Sequence, residues 1–219
     1  QLLLAAYPLI FFYLVACVLV ALSQRVQQIA RGWRLFMLAL GLIVFDQVLK
    51  TIVTSFVPYQ ASCPIIGQWL HVAHMRNYEG SWITSSFGIA RTSIVDYIQW
   101  AGVIFILSFT IPGHRYYIAT HRQSLWADVA FLGVFAACAS WLLDMTFRGY
   151  VVDFINLPGL VTADFKDILV TLSAAAFFVE SLDNPEISWR WQGWRKESAA
   201  LIQLLKNLYR FFINQEHKP

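Results

Sequence analysis

The sequence has 219 residues, of which 58% are hydrophobic and only 13% are charged. Soluble domains carry about 25% charged residues, so a chain this poor in charge is not expected to be soluble, and the lipid bilayer is its expected surrounding. With a net charge of +3 and no long basic run or acidic tail, nucleic acid is not expected as a partner.

Five apolar segments predict membrane-spanning helices, since a helix needs about 20 mostly apolar residues to cross the hydrocarbon core. The first segment, Leu2–Leu22, has no basic residue before it and no clear cleavage site after it. We therefore expect a retained span there rather than a cleaved signal sequence. The other four are Leu35–Val57, which ends at Pro58, Val95–Ile111, which ends at Pro112-Gly113, Trp126–Phe147, and Asp167–Leu182.

The basic residues predict the orientation of these spans, because Lys and Arg collect on the cytoplasmic side. Three segments are rich in them: the first loop (Arg25, Arg31, Arg34), the loop with Arg115 and Arg122, and the tail (Arg190, Arg195, Lys196, Lys206, Arg210, Lys218). The loops Pro58–Ile94 and Arg148–Lys166 are poor in basic residues and are expected outside. This predicts an odd number of spans, with the amino terminus outside and the carboxyl terminus in the cytoplasm.

Two shorter patterns lie outside the predicted spans. Trp69–Asn77 partly alternates apolar and polar residues, which predicts one or two short strands outside the membrane. In the tail, tryptophans interleave with basic residues, and apolar residues then recur at helical spacing (Leu201, Leu204, Leu205, Leu208, Phe211, Phe212). This predicts an amphipathic helix on the inner membrane surface; a docking helix for a partner subunit is the alternative with the same pattern.

Cys17, Cys63 and Cys138 are far apart, and no CxxC or Cys/His pair has metal-ligand spacing. We therefore expect no structural zinc, no obligatory disulfide and no cofactor, and Cys63 is expected to be a free thiol.

Asp46 and Lys50 are ionisable residues inside a predicted span, where a charge costs several kcal/mol and is a functional hypothesis by default. Their i, i+4 spacing places them on one helix face, where they can pair. An ion pair that fixes helix packing and a direct catalytic role are both open, although a paired Asp is held ionised and is a poor proton donor.

A second cluster contains three carboxylates: Asp144 near the end of the fourth span, Asp153 between apolar residues, and Asp164 just before the fifth span. Burial of a carboxylate among apolar residues is costly, and a helix N-terminus favours a negative charge. Two close carboxylates in a partly dry site can act as acid and base, as in aspartic proteases. The alternative is that Asp153 and Asp164 only cap helices.

Several of these segments resemble the motifs of signal peptidase II, the bacterial lipoprotein signal peptidase family. Asp46-Gln-Val-Leu-Lys50 resembles DQxxK, Asn77-Tyr-Glu-Gly80 is similar to N-x-G with one extra residue, and Ala163-Asp164 matches the end of N-x-A-D. The stretch from Asp144 resembles GNxxDRxxxGxVxDFI, with matches at Asp144, Gly149, Val151, Asp153, Phe154 and Ile155. The motifs occur in the family's order over about Leu35–Leu182.

The resemblance implies an all-α integral membrane fold in the bacterial cytoplasmic membrane: a four-helix core at 35–182 with a small extracytoplasmic β element. An extra N-terminal transmembrane helix and loop (1–34) and the amphipathic tail (183–219) would flank it. The catalytic residues would be Asp153 and Asp164, cleaving a signal peptide ahead of a lipid-modified cysteine. The supporting residues would be Asp46, Lys50, Asp144 and Ala163 in the core, with Asn77 and Gly80 in the outer substrate cradle.

The sequence also departs from the family's pattern, with Trp141 in place of Asn, Met145 in place of Arg and Val161 in place of the second Asn. Trp, Met and Val cannot replace the hydrogen bonds of those residues. Arg148, within about one turn of Met145, is a candidate substitute. Two principal hypotheses follow: an active, divergent aspartyl endopeptidase acting on a prolipoprotein, or a non-catalytic subunit that binds partners through Leu2–Leu22 or the tail. An unrelated small transporter is a third.

Overall fold

The computed structural model describes residues 33–78, 92–121 and 124–184, together with Ala199, Ile202, Gln203 and Lys206 of the tail, which are helical. The chain divides into two compact units, Gln1–Glu180 and Ser181–Pro219. The predicted first span, Gly80 and most of the predicted amphipathic helix lie outside the described residues.

Four helices occupy the positions of the last four predicted spans: α1 (Trp33–Phe56), α2 (Ser93–Thr120), α3 (Leu125–Phe147) and α4 (Phe165–Asp183). By length and composition α1, α2 and α3 can each cross a membrane. The membrane crossing of α4, which carries Lys166, Asp167 and Glu180, stays a prediction.

The prediction that the third helix ends at Pro112-Gly113 is wrong, because α2 continues through Pro112 to Thr120. A proline inside a helix removes one N–H donor and costs about 3 kcal/mol. Contacts beyond the proline offset this cost: His114 Nε2 lies 2.7 Å from Asp128 Oδ1 of α3, and the Tyr117 hydroxyl donates to Glu180 of α4. The segment 112–120, which was predicted to belong to a cytoplasmic loop, is therefore helical.

The helix core uses one stripe of α1, whose buried residues recur every three or four positions (Leu35, Ala39, Ile43, Asp46, Lys50, Val53). Ile43 packs with Ala136 and Ala137 of α3 and Leu169 of α4. Small residues such as these two alanines allow helix backbones to approach closely. The other faces of α1 are apolar and exposed, as expected of a helix whose outer surface contacts lipid.

A four-stranded antiparallel sheet joins the two loops that were predicted to lie outside. Its order is β1 (Ser62–Ile66), β2 (Leu70–Asn77), β3 (Val151–Leu157) and β4 (Val161–Ala163). The prediction of one or two strands is confirmed for the first loop, but β3 and β4 were missed and the fold is not all-α. The first four residues of β3 are all buried, so this strand lacks the polar alternation that marks a half-buried strand.

Candidate active site

The predicted ion pair in α1 is confirmed. Lys50 Nζ lies 2.7 Å from Asp46 Oδ2, and both side chains are fully buried. The i, i+4 spacing places both residues on the buried stripe of α1, so the pair forms within the bundle.

Lys50 is also bound by carboxylates from two other parts of the chain. Its Nζ lies 2.5 Å from Asp144 Oδ2 of α3 and 2.6 Å from Asp164 Oδ2, just before α4. A buried ammonium is costly unless it is well paired, and Lys50 is paired with three carboxylates. It therefore links α1, α3 and the start of α4 at one point.

The end of α3 folds Arg148 back onto this cluster. The backbone N–H groups of Arg148 and Gly149 both donate to the Asp144 carbonyl, at 2.8 and 3.1 Å, and Gly149 has φ +73°. A glycine in the left-handed conformation is a common helix terminator. The Arg148 guanidinium contacts Asp144 Oδ1 at 2.6 Å and donates to Gln47 Oε1 at 2.5 Å.

Asp153 lies in strand β3, where it pairs with Met75 of β2. Its side chain is buried, and Asn77 Nδ2, at the end of β2, donates to its Oδ2 at 3.1 Å. Its Oδ1 is buried without a hydrogen-bond partner among the described residues. Asp153 is therefore held by a strand and is not a helix cap, so the capping alternative is wrong for this residue.

Asp164 does cap a helix, as the capping alternative expected. Its Oδ1 accepts a hydrogen bond from the Asp167 backbone N–H at 3.1 Å, and Asp167 Oδ2 accepts one from the Asp164 N–H at 3.2 Å. This reciprocal arrangement resembles a capping box at the start of α4. The fully buried Asp164 also receives Lys166 Nζ on Oδ1 at 3.0 Å.

Asp153 and Asp164 lie close together in the fold. With Asp167 they each place a carboxyl oxygen within 4.8 Å of the others. Burial raises the pKa of Asp153 to about 7, against the opposing effect of Lys166. Burial alone would raise the pKa of Asp164 as well, but Lys166 and Lys50 outweigh it and hold that pKa below its usual range. Below a pH of about 7, Asp153 therefore retains a proton while Asp164 is ionised.

Two groups of carboxylates have the spacing of a metal-ligand set: Asp46, Asp144 and Asp164, and Asp153, Asp164 and Asp167. An ammonium already contacts members of each group, Lys50 in the first and Lys166 in the second. A cation would have to displace a buried lysine, so these residues fit lysine charge compensation better than a metal ion.

Two of the residues that depart from the family pattern lie in one buried apolar cluster. Trp141 and Met145 form a buried apolar cluster with Val151, and Trp100 of α2 stacks edge-on against Trp141 at 5.3 Å. Val161 pairs with Leu157 at the turn between β3 and β4. Arg148, one turn after Asp144, contacts the Asp144 carboxylate, and its role as a substitute for the family's Arg stays a prediction.

The structure brings together seven of the eight predicted site residues, and Gly80 lies outside the described part. Ala163, in β4, pairs with Ile155 and so places Asp164 beside β3. Sequence reasoning missed Lys166 and Asp167 as site residues. Their signal was available: two adjacent charged residues lie two and three positions after Asp164, at the start of an apolar segment.

The chain is similar to known proteins in sequence and in fold. The family model for signal peptidase (SPase) II matches residues 38–183. A lipoprotein signal peptidase of Caulobacter vibrioides is 29% identical over 132 residues, 59% of this chain and 73% of the relative. One of Sinorhizobium fredii is 22% identical over 168 residues, 74% of this chain and 93% of the relative.

Two solved structures, each described as a bacterial membrane enzyme, share the fold. Both have a TM-score of 0.57 at 22% identity and cover 68% of this chain, and this chain covers 87% and 92% of them. The family match and the apolar helices make the chain a bacterial membrane protein. Since the family model matches more than half of its length, the chain belongs to the signal peptidase II family.

Proposed function

We propose that the chain is a divergent lipoprotein signal peptidase, an aspartyl endopeptidase that removes a signal peptide ahead of a lipid-modified cysteine. The observation that carries the proposal is the aspartate pair, Asp153 and Asp164, buried with carboxyl oxygens within 4.8 Å. Surroundings that separate the pKa values of two carboxyls prepare one as acid and the other as base. The names of the bacterial relatives agree with this substrate class.

In the proposed reaction, ionised Asp164 accepts a proton from a water molecule, whose oxygen attacks the carbonyl carbon of the scissile peptide bond. Protonated Asp153 donates its proton to the carbonyl oxygen as the tetrahedral intermediate forms. When the intermediate collapses, the C–N bond breaks, Asp164 gives the proton it took from water to the leaving amine nitrogen, and Asp153 takes back a hydroxyl proton as the carboxyl product forms. The buried Asp153 Oδ1, without a hydrogen-bond partner in the described part of the chain, is placed to contact the water or the carbonyl.

The supporting residues would orient the aspartate pair. Asn77 holds one member through its 3.1 Å hydrogen bond, and Lys50 holds the other through its 2.6 Å contact. Asp46 and Asp144 keep the Lys50 ammonium in place. Ala163 sets the register of β4 against β3. Gly80 remains a predicted part of the substrate cradle.

For the location of the site, we propose the outer face of the bacterial cytoplasmic membrane. Both loops that are poor in Lys and Arg contribute to one sheet, so they lie on the same side of the helices. The aspartate pair lies where this sheet meets α4. A multi-pass chain with its amino terminus outside and its carboxyl terminus in the cytoplasm would place this end outside, where a lipid-modified precursor arrives.

The test is cleavage of a diacylglyceryl-cysteine precursor by the purified protein in detergent. Asp153→Asn and Asp164→Asn should each abolish cleavage while the protein stays folded, because Asn keeps the shape and loses the acid or base. Asp128→Asn is the matched control, since Asp128 is equally buried but pairs with His114. No turnover by the unaltered protein, beside an active family member, would refute the proposal.

A non-catalytic membrane subunit is the second candidate. The observation that favours it is the apolar cluster of Trp141, Met145 and Val151, in which Trp141 and Met145 stand where the family motif has polar residues. In this case the segments 1–34 and 183–219 would bind partner subunits. This candidate requires stable co-purification with membrane subunits, lost on removal of either segment, and no cleavage.

A further inference from the structure

Lys166 occupies an unusual place for a cation. It lies in the first turn of α4, where the helix dipole is unfavourable for positive charge, and it is only 7% exposed. A lysine at a surface normally extends its ammonium into water. Here the ammonium instead contacts Asp164 Oδ1 at 3.0 Å and Asp167 Oδ1 at 3.1 Å. These two carboxylates offset the cost of its burial.

As a result, each oxygen of Asp164 has its own ammonium. Lys166 of α4 contacts Oδ1, and Lys50 of α1 contacts Oδ2 at 2.6 Å. The Asp167 backbone N–H also donates to Oδ1, which makes three contacts to the Asp164 carboxylate. No comparable cation contacts Asp153 among the described residues. The two members of the aspartate pair therefore differ in the positive charge that directly contacts them.

We propose that Lys166 is a positioning residue for peptide cleavage: with Lys50 it holds Asp164 ionised and fixed in orientation beside Asp153. The inference rests on the proposed function. The charged and titratable groups that face Asp164 come from four elements: Lys50 and Asp46 of α1, Asp144 of α3, Asp153 of β3, and Lys166 and Asp167 of α4.

The sign of the effect follows from the two charge states that the reaction needs. Asp164 must be ionised and Asp153 protonated. Loss of the Lys166 charge would raise the pKa of both carboxyls, since Lys166 lowers each of them. Both limbs of the profile of kcat/KM against pH should therefore move to higher pH. An opposite charge at this distance shifts a carboxyl pKa by roughly 1–3 units, and with Lys50 still present we expect about 1 unit.

The first experiment compares these profiles for Lys166→Gln, Lys166→Arg and the unaltered protein with the diacylglyceryl-cysteine precursor. Gln keeps hydrogen-bond donors and loses the charge. The acid limb of the profile should therefore move to higher pH by about 1 unit, and kcat/KM at pH values below this limb should fall about tenfold. Arg should restore the limb. Lys206→Met, which removes the charge of an exposed tail lysine, should leave the profile unchanged. A uniform loss of activity without a shift would overturn the inference.

The second experiment does not depend on turnover and so separates failure of this inference from failure of the proposed function. The carboxyl band of Asp164, identified by its loss in Asp164→Asn, is followed by infrared titration. In Lys166→Gln, and in Lys166→Met as a second charge-removing variant, Asp164 should take up its proton at higher pH than in the unaltered protein. An unchanged titration would overturn the role of Lys166, whether or not the protein cleaves the precursor.

Discussion

Replacing Lys50 with methionine should destabilise the protein strongly, because Lys50 contacts three buried carboxylates. Asp144 would keep the Arg148 guanidinium at 2.6 Å, and Asp164 would keep Lys166 at 3.0 Å. Asp46 would be left without a cation, since Lys50 is its ion-pair partner among the described residues. The cluster of three carboxylates (Asp46, Asp144, Asp164) and three cations (Lys50, Arg148, Lys166) would then contain only two cations.

The magnitude follows from the cost of removing one partner of a buried ion pair. Such a change costs about 3–5 kcal/mol, and replacing both partners by apolar residues of similar volume is often close to neutral. We expect Lys50→Met to lie in that range. The double variant Asp46→Leu with Lys50→Met leaves two carboxylates with one cation each, so it should be more stable than Lys50→Met by roughly 2 kcal/mol.

The measurement is the free energy of unfolding in mixed micelles, followed by tryptophan fluorescence during titration with a denaturing detergent. Val44→Met is the matched control, because Val44 is 52% exposed on the same helix and the change leaves every charge in place. If the double variant loses as much stability as the two single variants together, Asp46 and Lys50 are not coupled and the reasoning is wrong.

Three further predictions concern the pH dependence, the helix packing and the topology. Because Asp153 must be protonated, cleavage should fall as pH rises through its pKa of about 7. Because the pKa of Asp164 is lowered, this residue should stay ionised in mild acid, and cleavage should be lost only at lower pH. A rate of cleavage that does not change with pH would contradict this. Gly133→Ala should destabilise by about 1–3 kcal/mol in the same unfolding assay, since its Cβ would lie 2.1 Å from Ser173 Oγ and 3.0 Å from the Leu169 carbonyl. Adding Ser173→Ala to the Gly133→Ala variant should recover only part of the lost stability, because the contact with the Leu169 carbonyl remains. Single-cysteine labelling should find the loop at Pro58–Ile94 outside and the tail inside, and the same side for both would refute the orientation.

Features that depend on near neighbours in sequence could be predicted. The length of the apolar segments predicted the positions of α1, α3 and α4 to within two residues, and the i, i+4 spacing of Asp46 and Lys50 was enough to predict their pair. Asp164 lies at a helix N-terminus, where it accepts the hydrogen bond expected of a cap. These features follow from the geometry of a single helix.

Only the tertiary structure decided the rest. Strand β3 could not be recognised by alternation because its first four residues are buried, and it is ordered by pairing with β2. The continuation of α2 past Pro112 depends on partners in α3 and α4. The three carboxylates around Lys50 come from residues 46, 144 and 164, and no sequence spacing implies that they converge. The sequence by itself determined which charged residues lie within or next to apolar segments, because residue type and segment length are local properties of the chain. Which charges neutralise one another was decided by helix packing and strand pairing, because these bring distant segments into contact.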